Sequence, residues 1–233
     1  MVATQPEGAP PFMDPSKDII GKSSGFVSAL LAEKLPGWAV YHNLGHTTET
    51  VAAAREIAEG SRLNKSETEV VLLAAWFHDT GYAEKTVGHE ERSSEIARGF
   101  LTAQGYPAGK TDDVVRCILA TRVPQHPADL LEQVICDADM RHLGSKMFFE
   151  KNDLLREEIE RREGRPMTDV HWLGMSTGFV SSHRFHTGYA LREFEPRRTE
   201  NISRLQEELR KAEVAAGGKS GQKFKKLKRG DVS

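Results

Sequence analysis

Eight consecutive apolar residues, Val70 to Phe77 (VVLLAAWF), run without a break into His78-Asp79-Thr80-Gly81. The run is far short of the roughly 20 apolar residues that a membrane span needs. Read as a helix, it is apolar on most sides and has to be enclosed by other elements. Ser66-x-x-Glu69 ahead of it has the form of a capping box, and Gly81 supplies a stop. Two polar, metal-competent side chains therefore stand at the end of the most buried helix of the chain.

The remainder reads as further helices. Spaced apolar positions over 19–35 end at Pro36-Gly37, and an Ala-rich stretch over 44–59 ends at Gly60. Helical patterns follow near 88–104, 111–121, 127–142, 146–162, 168–182 and 188–213, punctuated by Gly-Tyr-Pro at 105–107 and Gly-Arg-Pro at 164–166. No strand alternation of useful length and no internal repeat occurs. The expectation is an all-α fold, a bundle of about eight to ten helices. Residues 1–17, rich in Pro and Gly, read as a flexible lead, 18–213 as the helical domain and 214–233 as a basic flexible tail.

Charge and cysteine content narrow the functional classes. The net charge of -2 conceals six basic residues against Asp231 from Gly217 onward, which leaves the first 216 residues at -7. An acidic body argues against extended contact with a phosphate backbone, so no nucleic-acid partner is expected. Cys117 and Cys136 lie in apolar helical stretches, which fits a reducing, cytoplasmic setting. No signal peptide and no membrane span is read in this chain, and no phosphate-cradling Gly-rich loop of the P-loop type is present.

His46, His78, Asp79 and Asp139 are a ligand set suited to a hydrolytic divalent ion. His42 and His46, four apart, would share one face of a helix. His78 and Asp79 splay by about 100° in a regular helix, yet at its end both can reach an ion beside the axis. Asp139 falls on a third amphipathic helix with Leu130, Val134 and Ile135. Taken singly, each has a plainer reading: a surface histidine, a carboxylate closing the Thr80-Gly81 turn. A carboxylate inside an apolar run is harder to explain away, because burying it unpaired costs several kcal/mol.

Tyr41-His42-Asn43-x-x-His46, Trp76-Phe77-His78-Asp79-Thr80-Gly81-Tyr82 and Asp137-Ala138-Asp139 resemble the HD superfamily of metal-dependent phosphohydrolases. Gly88-His89-Glu90-x-x-Ser93, Ile118-x-x-Thr121 and Leu143-Gly144 extend the likeness over roughly 38–212. Trp172, Phe179, His183-x-x-His186-Thr187 and Asn201-Ile202 further resemble the HD region of Pycsar-type antiphage effectors, where such a domain precedes transmembrane helices. That likeness implies a soluble part of a longer inner-membrane parent in antiviral defense, expected to be dimeric.

The resemblance implies a helical bundle with a metal in its core, held by His46, His78, Asp79 and Asp139, with Asp79 bridging if a second ion binds. Asp139 aligns with the single Asp of simpler HD domains, whereas Asp137 points about 200° away on a helix and is given a packing role. His42 is implied as proton donor to the leaving oxygen, against the alternative of a hydrogen bond to a ligand residue. His89 and Glu90 complete a second metal site or orient water, with a helix-start role for Glu90 as the alternative. The ion is expected to be Mn, Fe, Zn or Mg. Arg122, His183 and Arg184 are candidates to hold substrate phosphate. The expected activity is hydrolysis of a nucleotide, cyclic or linear, or a related phosphate ester. The alternative is a sensing domain that binds a cyclic nucleotide with little or no turnover.

Overall fold

The computed structural model describes residues 18–227, and the proposed lead at 1–17 lies outside them. Among the described residues the chain is all helical: α1 (Ile19–Lys34), α2 (Leu44–Gly60), α3 (Lys65–Phe77), α4 (His89–Ala103), α5 (Ala108–Ala120), α6 (Leu130–Asp139), α7 (Phe148–Glu163), α8 (Asp169–Ser182), α9 (Gly188–Glu193) and α10 (Glu195–Leu227). Short 3-10 turns at Thr80–Ala83 and Met140–Gly144 follow α3 and α6. No described helix is long and apolar enough to cross a membrane.

The apolar run dictates the arrangement. Every residue from Val70 to Phe77 is buried, because α1, α2, α5 and α6 surround α3. Leu73, Phe77, Ile57, Ile118 and Ile135 are fully enclosed at the centre, and each such side chain contributes roughly 1.5–3 kcal/mol on burial. A second layer forms where α8 packs on α10 and α10 covers the turn after α6. Asn201 on α10 holds that turn by donating to the carbonyls of Leu143 (2.9 Å) and Ser145 (3.0 Å).

Local details depart from the sequence reading in three places. The capping box of α3 is Asn64 with Glu67: Asn64 Oδ1 accepts from the amides of Ser66 and Glu67, and Glu67 Oε2 accepts from Asn64 N at 2.8 Å. Ser66 already lies inside the helix, whereas Asn64 has the extended backbone that a cap requires. His42 is not on a helix, because Asn43 caps α2 from an extended conformation. The last helical stretch is broken at Phe194 into α9 and α10, and α10 runs to Leu227; the end of the expected tail, 228–233, lies outside the described residues.

Candidate metal centre

Three helices bring the ligand candidates together. His46 lies in the first turn of α2, His78 directly follows α3, and Asp139 closes α6. His46 Nε2 is 3.3 Å from His78 Nε2 and 3.3 Å from Asp139 Oδ1, and the candidate ligand atoms of these three residues all lie within 4.8 Å of one another. Asp79 Oδ2 joins them at 3.4 Å from His46 Nε2 and 3.2 Å from His78 Nε2. Two ligand atoms each about 2.1 Å from one ion stand about 3.0–3.4 Å apart, so these spacings fit a single cation.

The hydrogen bonds around the group set its chemistry. His78 Nδ1 faces the Ala75 carbonyl at 2.8 Å, and His89 Nδ1 faces that of Thr86 at 2.9 Å. A carbonyl only accepts, so both rings carry the proton on Nδ1 and turn a lone pair on Nε2 toward the cluster when neutral. Asp79 Oδ2 is buried and receives no hydrogen bond, although two imidazole nitrogens lie close by. An unsatisfied buried carboxylate oxygen beside two aimed imidazoles is what a cation would complete.

Burial alone would lower the pKa of His46 and His78, but the neighbouring Asp79 and Asp139 carboxylates overcome it and raise both. Burial pulls Asp79 and Asp139 the other way, and the histidines override it to hold both carboxyls below their usual range. Both sets of shifts favour the charged pair, imidazolium against carboxylate, over the neutral forms. The stability from the raised histidines is fully present below about 6.5, their unfolded value, and is lost as pH rises through the folded values. That from the depressed carboxyls is present above about 3.9 and is lost as pH falls through theirs. Binding of a cation must displace the imidazole protons. The rise in Tm on adding Mn over an EDTA control is therefore expected to grow from pH 6 to pH 9; a pH-independent increment would contradict this account.

A cavity of about 190 Å³ opens over Asp79 and Asp139, and His42, His89, Glu90 and Tyr82 border it. His89 Nε2 lies 3.5 Å from Asp79 Oδ1, on the side away from His46. Glu90 is buried and borders the cavity, while the N-cap position of α4 belongs to Gly88, which makes no side-chain cap. His42 stacks on Tyr82 with ring centroids 4.2 Å apart, and its Nδ1 is bonded to Glu158 Oε1. On the far side, His46 and Asp139 border a second cavity of about 380 Å³ that also reaches Arg141 and Lys151.

The proposed substrate residues do not gather here. Arg122 is half exposed and paired with Glu91, and its chain neighbours Thr121 and Val123, not Arg122 itself, line the cavity. His183 and Arg184 line an adjoining basin instead. Asp137 is fully buried and accepts from the backbone N–H groups of His186 and Thr187, both at 2.8 Å, so it anchors the loop before α9. Burial raises its pKa despite those donors.

Glu158 and His142 carry parts of the site that sequence reasoning missed. Glu158, on α7, is 1 % exposed and also accepts from the amides of Tyr41 (2.8 Å) and His42 (2.9 Å). His142 borders both metal-side cavities and stands 3.2 Å from the Tyr41 hydroxyl. Burial pushes its imidazole down to about 4. Leu154, Leu155, Glu158 and Ile159 fall on one helical face, which is the signal that Glu158 points inward.

Gly81 sets the distance between the two halves of the site. A Cβ there would lie 2.1 Å from the His89 carbonyl oxygen, which is backbone and cannot swing away. Gly81→Ala is expected to push His89 off Asp79 and to cost about 1–3 kcal/mol. An unchanged midpoint of urea unfolding would refute this.

Residues 43–143 match the family model for the HD domain. The chain resembles that family over this stretch. Its structure is similar to the crystal structure of a predicted HD superfamily hydrolase from an uncultured Thermotogales bacterium, with 19 % identity and a TM-score of 0.52. That likeness covers 80 % of this chain and 91 % of the other, and it extends the agreement in fold beyond the matched domain. No curated protein matches the sequence.

Proposed function

We propose that this protein is a metal-dependent phosphohydrolase acting on a nucleotide, cyclic or linear, or a related phosphate ester. The observation that carries this is the convergence of His46, His78, Asp79 and Asp139 beneath a cavity edged by His42 and His89. The HD-domain match and the hydrolase named among similar folds support it. His46, His78, Asp79 and Asp139 would hold Mn, Fe, Zn or Mg, and the His89–Asp79 contact is the place for a second ion. A divalent cation bound there lowers the pKa of water and neutralises charge on the phosphoryl oxygens.

The chain's own residues supply the rest. Glu158 fixes the His42 ring through Nδ1, leaving Nε2 as the nitrogen available to a ligand. In its protonated form His42 keeps Nδ1–H on Glu158 and gives the Nε2 proton to the departing oxygen. His89, held by Thr86, and Glu90 orient the attacking water. The buried wall limits the water that can compete with the reacting phosphate.

The test is a screen of cyclic and linear nucleotides and simple phosphate esters with Mn, following product by chromatography. Metal-dependent release of product, abolished by Asp79→Ala, is the expected result. Tight binding with the nucleotide recovered unchanged would favour the sensing domain of an antiphage effector. Neither binding nor turnover would sink both readings.

A further inference from the structure

A groove of about 200 Å³ separates α7 from α8, and the spacing of apolar residues gives it two apolar walls. Leu155 and Ile159 stand one turn apart on α7, and Trp172, Met175 and Phe179 follow the i, i+3, i+7 spacing of a single face on α8. Val180 of α8 is buried in the core, and the helix packs on α10. Met175 and Phe179 stay 47 % and 36 % exposed at the rim, so the groove has an apolar mouth as well as an apolar interior.

The groove runs into the metal cavity: His142, Leu155 and Phe179 border both. Neither space alone reaches the roughly 300 Å³ at which small-molecule sites begin, and the two together pass it. We infer that one ligand occupies both, a phosphate ester of an aliphatic alcohol, with its phosphate over the metal cluster and its alkyl tail laid between α7 and α8. The inference rests on the phosphohydrolase reading and names the substrate class for it.

The polar groups of the groove are engaged already, which is why the tail has to be apolar. Ser176 Oγ donates to Asn152 Oδ1 at 3.0 Å, Lys151 Nζ is held by Glu49 at 2.7 Å, and His142 Nδ1 lies 3.2 Å from the Tyr41 hydroxyl. Trp172 Nε1 has no partner, but it is closed off beneath the surface and meets no ligand. A hydroxyl or amide placed against these walls would give up its hydrogen bonds to water for contact with carbon. An alkyl chain gives up none, and it covers the Met175 and Phe179 side chains that water otherwise touches.

The experiment measures equilibrium binding of n-alkylphosphonates, methyl to decyl, to the Mn-loaded full chain; these probes carry no ester bond to cleave. Affinity is expected to rise about two- to fourfold per methylene over the first members and to level once the groove is full. Met175→Asp at the exposed rim and Ile159→Ser on the opposite wall should flatten that rise, with Tm measured to show that each variant folds. n-Alkanols of equal length should compete poorly, because they leave the metal end empty. An affinity independent of chain length, or a rise that survives both variants, would overturn the assignment. So would alkanols that compete as well as the phosphonates, since the groove would then be a site apart from the metal. A flat series from a protein that sediments as a dimer would give the groove to a second copy of the chain instead. Decyl phosphate, free in solution or carried in phosphatidylcholine vesicles, separates a soluble ester from a membrane-borne one, and binding from either source supports the tail site. Chain-dependent phosphonate binding without phosphate release from octyl phosphate would remove the phosphohydrolase reading and keep the groove. Hydrolysis of methyl phosphate or nucleotides beside a flat phosphonate series would do the reverse.

Discussion

Asp139→Ala and His46→Ala are each expected to leave the purified protein without its divalent ion and to lower kcat/KM by well over 100-fold, beyond the roughly 10–100-fold typical of outer-shell partners. The reason is geometric. Each residue supplies one edge of a group whose ligand atoms lie within 4.8 Å. Removing Asp139 also leaves the raised imidazoles of His46 and His78 facing Asp79 alone. Removing His46 leaves two buried carboxylates, Asp79 and Asp139, with less positive charge to balance them. Both variants should therefore unfold at lower temperature as isolated, and added Mn should raise their Tm less than it raises that of the wild type. Elemental analysis decides the matter: full metal content in both variants would refute the ligand assignment.

Asp137→Asn is the matching control. Asp137 is only two residues from Asp139 and is more deeply buried, yet it serves the His186 and Thr187 amides and not the cluster. An amide oxygen can still accept from one of those N–H groups, so metal content should persist while the loop before α9 loosens.

The fold was legible because its strongest signal is also its physical cause. An eight-residue apolar run has to be surrounded, and the helices that surround it announce themselves by apolar spacing and Gly or Pro stops. The ligand candidates were legible because a carboxylate at 139 in an apolar stretch needs a partner. What escaped was set by contacts remote in sequence. Glu158 is 116 residues from His42 and sits among the charges of Arg156, Glu157 and Glu160, which pair on the surface of the same helix. The Arg122–Glu91 pair was not legible because Glu91 lies on another helix. The i, i+4 spacing of His42 and His46 suggested one helical face; Asn43 caps the helix between them, and the rings meet at 5.8 Å by the chain's turn.

Glu158→Gln is expected to separate orientation from metal binding. The Glu158 carboxylate holds Tyr41 and His42 by their amides and takes the His42 Nδ1 proton, three interactions from a residue that touches no metal-ligand candidate. Burial raises its pKa, but the His42 ring and the two amides override this and hold it below the usual range. The stabilisation is thus present above the unfolded value of about 4.3 and is lost as pH falls through the folded one. Glutamine keeps the size and one acceptor, but its NH2 can donate to Nδ1 and reverse the His42 tautomer, moving the ring proton to Nε2. The expected outcome is a fall in kcat of about 100-fold, with metal content near wild type, KM little changed and the acid limb of the rate profile displaced. Glu158→Ala goes further, because the two amides and the imidazole lose their common partner in a closed space; about 3–5 kcal/mol of stability should go with it. If Glu158→Gln kept full kcat, His42 would not depend on this carboxylate for its proton, and the leaving oxygen would have to be protonated from another edge of the cavity, which His89 also borders.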